Sequence, residues 1–563
     1  MVKLLHSLFA ASVLLLTASA SLSSADSGGA PFKGTPPLVI KGYRFFDSST
    51  KEYFGIRGVN YYPRPNTGAL DTNNLDLFTD KFARLRGRDF PQFVALGANA
   101  IRLYAVDPEA DHTDFMCELQ AEGIYVVVDL GSSCKGCEIT PDAAPACYPA
   151  SYKTRGEAII KQFAKFDNVI GFSGGNEVNH RSAGKGLKAN APCQKMFVRD
   201  MRNYIASCKS SMGMRQIPVG LVTADTDRDL NALYYNCESS DLSYERAEWY
   251  GINTYIQCDD IDDPKKATGF NMLRDSFKGY KYSIPVILTE FGCTTDRFPT
   301  VKGYKGQRTF HDAQWMNSAD YTEYFAGGFA FEYSTENANS KSTSVFPFTE
   351  FGPQNYGLGY LKPVDCDDVT KPCTFEQMPN FQSLAKAYKA ADTSAEPTFD
   401  SFKPAADRTV PSKCPADYLP ISGLTWEGGI KPTSDCPLPT VAKFQCPKKA
   451  RKPLLQGVAS TGSSNSTKTK KNAMRDSSDD GDSDKKTPKP TPVPINKTPS
   501  RSGDDRDNLE VGGSGSGSLM MKESNTNDTS SDTSTKTSGA SSVASSGLAT
   551  VALAVALALL QHL

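Results

Sequence analysis

Eight short apolar segments recur between residues 54 and 334, and they constrain the fold of this chain more than any other feature. Each segment is rich in β-branched or aromatic residues and has the length of a buried strand. Several of the intervening stretches carry apolar residues three and four positions apart, which is typical of amphipathic helices. The predicted strands are 54–61, 100–106, 124–130, 169–178, 217–225, 249–255, 285–292 and 328–334.

This alternation predicts an α/β fold, a (β/α)8 TIM barrel, because parallel strands that are buried on both faces appear as nearly continuous apolar runs. An open, doubly wound sheet is the alternative. It is less favoured because no glycine-rich phosphate turn follows the first predicted strand. We therefore expect a barrel domain over residues 37–392.

Nearly every predicted strand ends in a polar or aromatic side chain. The carboxyl ends of the strands surround the active site in a (β/α)8 barrel, so these side chains are expected to meet at one mouth. The set is Asn60, Tyr61, Tyr104, Asp129, Asn176, Glu177, Asp225, Asn253, Tyr255, Glu290, Glu332 and Tyr333.

Two carboxylates stand out at this mouth, Glu177 in GFSGGNEVNH and Glu290 in VILTEFGC. Neither has a neighbouring Lys or Arg in the sequence, so a structural ion pair is left open but has no support. Paired carboxylates in an aromatic-rich cleft suit glycosidic-bond chemistry, in which one protonates the leaving oxygen and the other stabilises or attacks the anomeric carbon. We predict that Glu177 and Glu290 are catalytic. The sequence has no cofactor motif, Ser/His triad or zinc-type Cys/His spacing, so we expect neither a cofactor nor a metal.

Six segments, in this order and spacing, resemble glycoside hydrolase family 72, the surface-anchored β-1,3-glucanosyltransferases of fungal-type cell walls. They are RGVNYYPRP, ANAIRLYAVDPEADH, GFSGGNEVNH, WYGINTYIQC, IPVILTEFGC and GGFAFEYSTENA. The likeness runs from about residue 39 to residue 361. It implies a retaining enzyme that cleaves β-1,3-glucan internally and transfers the new reducing end to the non-reducing end of another chain, with donor and acceptor glucans as its partners.

The resemblance also implies roles for matched positions. Glu177 is expected to be the acid/base and Glu290 the nucleophile, with Tyr255 hydrogen-bonded to the nucleophile. The remaining candidates are expected to bind substrate: Asn176 at the sugar 2-hydroxyl, Tyr104 and Tyr333 in donor subsites, and Asp225 and Arg228 at further glucan contacts, with Arg228 offset from the family spacing.

The acceptor cannot be read from the two carboxylates, because hydrolysis and transfer use the same pair. An endo-β-1,3-glucanase is therefore the close alternative. A non-catalytic wall-glucan binding protein is the second, and the presence of both Glu177 and Glu290 argues against it. The net charge of -1 argues against a nucleic-acid partner.

Fourteen cysteines follow an amino-terminal segment of secretory type, so up to seven disulfides are expected. Cys258 and Cys293 lie at equivalent positions after neighbouring strands, close enough for a bond, and the family pairs the matching cysteines. Cys134, Cys137 and Cys147 are expected to staple a loop over the cleft.

Three positions depart from the family pattern. Arg86 and Phe115 stand where a bonded pair of cysteines is usual, so that bridge is expected to be lost and Cys117 needs another partner. Tyr62 replaces a common Gln, which puts the nearby acceptor contacts in doubt.

The two ends of the chain indicate export and attachment. Residues 1–20 have the pattern of a signal peptide, and 393–446 are expected to form a small Cys-containing appendage, with carbohydrate binding as a minority alternative. Residues 447–540 are predicted to be a Ser/Thr-rich disordered stalk that carries the three sequons, at Asn465, Asn496 and Asn527.

Small residues followed by an apolar tail make 541–563 resemble a glycosylphosphatidylinositol (GPI) anchor signal, with a short membrane anchor as the alternative. The expected location is the extracellular face of the plasma membrane, through the membrane-bound GPI lipid, or the cell wall.

Overall fold

The structure, a computed structural model, describes residues 35–63, 75–132, 134–178, 180, 189–335, 356–411, 413–427, 429–442 and 444–447. The predicted signal peptide, the three sequons and the predicted anchor signal lie outside these residues. So does all of the predicted stalk except residue 447. Among the described helices, none combines the length and the apolar character needed to cross a bilayer.

A closed barrel of eight parallel strands forms the centre of the described chain, and its strands follow one another in chain order. An antiparallel hairpin, β1 (Leu38–Lys41) and β2 (Arg44–Asp47), precedes it. The barrel strands are β3 (Ile56–Asn60), β4 (Ala100–Leu103), β5 (Tyr125–Asp129), β6 (Val169–Asn176), β7 (Val219–Ala224), β8 (Tyr250–Asn253), β9 (Val286–Phe291) and β10 (Gly327–Ala330). β10 pairs with β3 and closes the barrel. The predicted (β/α)8 fold is confirmed.

Helices connect the strands and cover them from outside. The described helices are α1 (Ala83–Leu96), α2 (Thr113–Ala121), α3 (Ala150–Phe163), α4 (Ala191–Met212), α5 (Arg228–Asn236), α6 (Thr268–Tyr280), α7 (His311–Trp315), α8 (Ala319–Thr322), α9 (Pro379–Ala390) and α10 (Pro439–Ala442). α1 ends at Gly97, which takes the left-handed conformation (φ 74°) that closes many helices. Strands such as β5 are buried along their whole length, as expected for a parallel barrel inside a helical shell.

A small antiparallel pair, β11 (Gly359–Lys362) and β12 (Thr374–Gln377), follows the barrel and leads into α9. All fourteen cysteines are bonded. Four bonds join positions within residues 134–373: Cys134–Cys137, Cys147–Cys193, Cys258–Cys293 and Cys366–Cys373.

Residues 393–446, called the strap below, are attached covalently to the barrel helices. The three bonds are Cys237–Cys414, Cys208–Cys436 and Cys117–Cys446. The last of them gives Cys117 the partner that the sequence left open.

Polar contacts add to this attachment. Lys153 on α3 donates to the carbonyl oxygens of Gly429 (2.5 Å) and Lys431 (2.6 Å), and Glu157 accepts the Thr433 amide (2.9 Å). The strap therefore lies along the helical shell, although its status as a separate appendage stays a prediction.

Candidate active site

Glu290 is the second-last residue of β9 and lies inside the barrel mouth, with only 2% of its surface exposed. Among the described residues, three groups donate hydrogen bonds to its carboxylate. Tyr255 donates to Oε2 at 2.7 Å, Tyr104 donates to Oε1 at 2.9 Å, and Arg102 donates to Oε1 at 3.3 Å. Both oxygens are thus held by donors, a setting that favours the charged form of a carboxylate.

Glu177 follows β6 and is only partly buried. Its backbone has a φ of 49°, a conformation that is uncommon outside glycine and that tends to occur at functional sites. The Glu177 amide donates to the Val222 carbonyl (2.9 Å), and Oε1 accepts a hydrogen bond from the Asn253 amide (2.9 Å). The two carboxylates therefore differ in environment, since one is enclosed by charged and hydroxyl donors and the other is more open.

The two carboxylates interact electrostatically. Burial, followed by the charge of Glu177, raises the pKa of Glu290 from 4.5 to about 7, while Arg102 and the two tyrosine hydroxyls act in the opposite direction. The pKa of Glu290 therefore depends on the charge of Glu177.

Arg102 connects the parts of the site and was not among the predicted site residues. It is fully buried, forms a two-point ion pair with Asp129 (2.7 and 3.2 Å), and donates to Asn176 Oδ1 (2.8 Å) as well as to Glu290. Its guanidinium also lies 4.4 Å from the centre of the Tyr104 ring. The signal was present in the sequence, because AIRLYAV places an arginine in the middle of an apolar strand.

Asn253 was expected at the mouth as a strand-end side chain, but the site prediction gave it no role. It ends β8, and its amide nitrogen donates to both Glu177 Oε1 (2.9 Å) and Asn176 Oδ1 (3.2 Å). Its own oxygen accepts the Thr289 hydroxyl (2.8 Å), which fixes the orientation of the amide. Asn253 thereby links the predicted acid/base to the residue that precedes it.

Asp225 and Arg228 form a separate pair at the end of β7 and the start of α5. Two bonds of 2.6 Å join the guanidinium to the carboxylate. The Thr254 hydroxyl also donates to Asp225 (2.7 Å), and the Thr254 amide donates to the Glu290 carbonyl (2.9 Å). The pair therefore borders the catalytic strand ends through Thr254, and its glucan contact stays a prediction.

Tyr333 is placed differently from the other candidates. It is fully buried, its hydroxyl donates to Asp89 on α1 (2.5 Å), and its ring stacks on Phe375 at 4.4 Å. Asp89 also accepts the Tyr61 hydroxyl (2.7 Å). The structure thus brings Tyr104, Asn176 and Tyr255 to the carboxylates but holds Tyr333 in the shell behind them, and its subsite role stays a prediction.

Cys258 and Cys293 are bonded, with their Cα atoms 5.0 Å apart. Cys258 lies three residues after Tyr255, and Cys293 three residues after Glu290. The bond therefore joins the loop that carries the hydroxyl donor to the loop that follows its acceptor.

The chain is similar to known glucanosyltransferases in both sequence and structure. Residues 29–345 match the family described as glucanosyltransferase, glycoside hydrolase family 72. The 1,3-beta-glucanosyltransferase GAS5 of Saccharomyces cerevisiae is 34% identical over 385 residues, which cover 67% of this chain and 67% of that protein. The 1,3-beta-glucanosyltransferase gas4 of Schizosaccharomyces pombe is 33% identical over 429 residues, 75% of this chain and 78% of that one.

Among solved structures, Saccharomyces cerevisiae Gas2p in complex with laminaritriose and laminaritetraose aligns with a TM-score of 0.52 and 27% identity, covering 72% of this chain and 78% of that chain. The apostructure of a Gas2p mutant aligns with a TM-score of 0.53 and 28% identity, covering 70% and 72%.

Proposed function

The chain belongs to the glucanosyltransferases of glycoside hydrolase family 72, and on that premise we propose that it is a retaining β-1,3-glucanosyltransferase. It cleaves β-1,3-glucan internally and joins the new reducing end to the non-reducing end of another glucan. The observation that carries this proposal is the pair of unequal carboxylates at the strand ends. Among the residues that the structure describes, Glu290 is buried among three donors, and the more open Glu177 accepts a hydrogen bond from the neutral amide of Asn253.

In the first step a carboxylate oxygen of Glu290 forms a bond to the anomeric carbon of an internal glucose, and the glycosidic bond to the leaving oxygen breaks. Glu177 gives its proton to that oxygen. Retention of configuration requires the two carboxyl groups to be about 5 to 5.5 Å apart. The product is a covalent glucosyl-enzyme and a shortened glucan with a free hydroxyl.

In the second step Glu177, now ionised, removes a proton from the acceptor hydroxyl. The acceptor oxygen bonds to the anomeric carbon, and the bond to Glu290 breaks with its electrons returning to the carboxylate. A sugar hydroxyl as acceptor gives a longer glucan, whereas water gives hydrolysis.

The two steps require one proton on Glu177 and one charge on Glu290. An ionised Glu177 raises the pKa of Glu290, and this repulsion is lost when Glu177 is protonated. The donors Tyr104, Tyr255 and Arg102 then favour the anion at Glu290.

The substrate assignment is supported by the relatives. Several are named 1,3-beta-glucanosyltransferases, and Gas2p has been solved with laminari-oligosaccharides. We propose that Asn176, Tyr104, Asp225, Arg228 and Tyr333 contribute to glucan binding. We also propose that the mature protein is held at the outer cell surface or in the wall by a GPI lipid.

Product analysis on a defined laminarioligosaccharide tests the activity. Products longer than the donor are expected; only shorter products would indicate a glucanase, and the absence of products a binding protein. Glu177→Gln and Glu290→Gln are each expected to remove nearly all activity, because an amide can neither exchange the proton nor form the glycosyl ester. The exposed Glu109→Gln is the control. A folded Glu177 or Glu290 variant with more than about a tenth of the wild-type rate would contradict the roles.

A further inference from the structure

Arg308 is a buried cation beside the active site for which neither the sequence motifs nor the catalytic steps provide a role. It lies between β9 and α7, and only 2% of its surface is exposed. The guanidinium donates to three backbone carbonyls: those of Gly292 (3.0 Å), Phe331 (2.7 Å) and Tyr356. Arginine suits this task because its planar fork presents several donors in fixed directions.

The three carbonyls belong to segments that surround the nucleophile. Gly292 follows Glu290 by two residues, and Phe331 is the residue after β10. Tyr356 lies before β11, and its carbonyl also accepts the Glu332 amide (3.1 Å). One side chain therefore fixes the relative positions of three segments at the barrel mouth.

The same contacts reach Tyr255, the hydroxyl donor of Glu290. Its ring lies 5.2 Å from the ring of Tyr356 and 6.2 Å from that of Phe331, and these two rings are 5.4 Å apart. Arg308 thus holds the backbone of both aromatic residues that pack on Tyr255. It also holds the segment that directly follows the hydrogen-bond acceptor.

Gly292 leaves the space that this arrangement needs. A Cβ atom there would lie 2.7 Å from Arg308 Nη1, well inside contact distance, and the backbone φ of 113° disfavours any other residue. The guanidinium can therefore approach the backbone this closely only because residue 292 is a glycine.

We propose that Arg308 is a positioning residue for the transfer reaction, which sets the Tyr255–Glu290 hydrogen bond by fixing the Gly292, Phe331 and Tyr356 carbonyls. This inference rests on the proposed function, because it concerns the geometry of the proposed nucleophile. Small displacements of reacting groups reduce rates strongly, so the effect is expected in turnover more than in glucan affinity.

Arg308→Lys and Arg308→Met test the proposal on the full-length enzyme. Lysine keeps the charge but cannot reach three carbonyls in the arginine geometry, and methionine keeps much of the length without any donor. Both are expected to lower kcat by roughly 10- to 100-fold while KM changes by less than about threefold. Kinetics are measured at temperatures where circular dichroism shows each variant folded.

Arg215→Met is the matched control. Arg215 is also a largely enclosed guanidinium that donates to backbone carbonyls, those of Phe166 and Val169 (both 3.0 Å), but these lie at the amino end of β6. Its loss is expected to lower thermal stability and to leave kcat near the wild-type value. An equal fall of kcat in Arg215→Met would refute a specific role for Arg308.

A double-mutant cycle with Tyr255→Phe separates positioning from general stabilisation. If Arg308 acts through the Tyr255 hydroxyl, the Arg308→Lys/Tyr255→Phe double variant should be about as active as the less active of the two single variants. Two results would overturn the inference. One is a double variant in which the kcat losses of the two single variants multiply, and the other is a folded Arg308→Lys variant with wild-type kcat. A wild-type enzyme without activity on laminarioligosaccharides would instead refute the proposed function, so the two failures are distinguishable.

Discussion

Replacing Glu290 by glutamine should stabilise the fold at alkaline pH while it removes activity. The pKa of Glu290 is raised from 4.5 to about 7 in the folded protein, first by burial and then by the charge of Glu177. A raised folded-state pKa means that the native state binds the proton more tightly than the unfolded chain does. The stabilisation that comes from this tighter proton binding is therefore present at low pH and is lost as the pH rises through about 7.

The size of the effect follows from this difference in pKa. At about 1.4 kcal/mol for each pKa unit, the rise from 4.5 to about 7 lowers the free energy of unfolding by about 3 kcal/mol at pH 8.5, where the carboxyl is ionised, relative to pH 4, where it is protonated in the native state. Glu290→Gln removes the titrating group. The stability of the wild type relative to Glu290→Gln should therefore fall by about 3 kcal/mol between pH 4 and pH 8.5.

Urea unfolding followed by tryptophan fluorescence at both pH values measures this quantity. Any pH-independent effect of the amide on stability cancels in the comparison. The contributions of other groups that titrate alike in both proteins cancel as well. Glu109→Gln, on an exposed side chain, should follow the wild type. If the Glu290→Gln and wild-type stabilities change in parallel between the two pH values, the buried carboxyl does not titrate as argued.

Three further predictions follow from the site and the chain ends. Replacing Cys258 and Cys293 by Ser opens a loop with a sequence separation of 35 and should cost about 4 kcal/mol of stability; turnover should also fall while the protein is still folded, and unchanged turnover would argue against a catalytic effect of the bond. Glu177→Gln should lower the pKa of Glu290, because the Glu177 charge raises it; carboxyl NMR can detect this, and an unchanged or higher pKa would contradict the coupling. Phosphatidylinositol-specific phospholipase should release the mature surface protein, and mass spectrometry that found residues 548–563 on it would disprove the anchor.

Much of the fold could be predicted because its signal is repetitive. Eight apolar segments alternating with helical patterns leave few arrangements other than a barrel, and the strand-end rule placed Glu177 and Glu290 at one mouth. The predicted strands extended beyond the observed ones by up to four residues at an end, since the apolar pattern continues into loops after the ladder of backbone hydrogen bonds stops.

The side-chain partners were harder to predict because they depend on where each side chain points in the folded barrel, which the local sequence does not specify. Arg102 reaches Asp129 on the neighbouring strand and Glu290 across the barrel, over separations of 27 and 188 residues. Tyr333 obeys the strand-end rule, yet Asp89 on α1 draws its hydroxyl into the shell. The Arg102 contacts form inside the closed barrel, and the Tyr333 contact forms when α1 packs on it. The arginine within an apolar strand marks Arg102 as unusual, but the local sequence does not identify its partners.

The strap also determines how the barrel would respond to mechanical tension. Cys446, near the carboxyl end of the described residues, is bonded to Cys117 on α2. A force pulling on the carboxyl-terminal side would therefore enter the protein through a covalent bond to a barrel helix, and two more bonds, at Cys436 and Cys414, would hold the strap beyond it. Under such a load the strap would be retained by three disulfides, so loss of its hydrogen bonds alone could not detach it from the barrel.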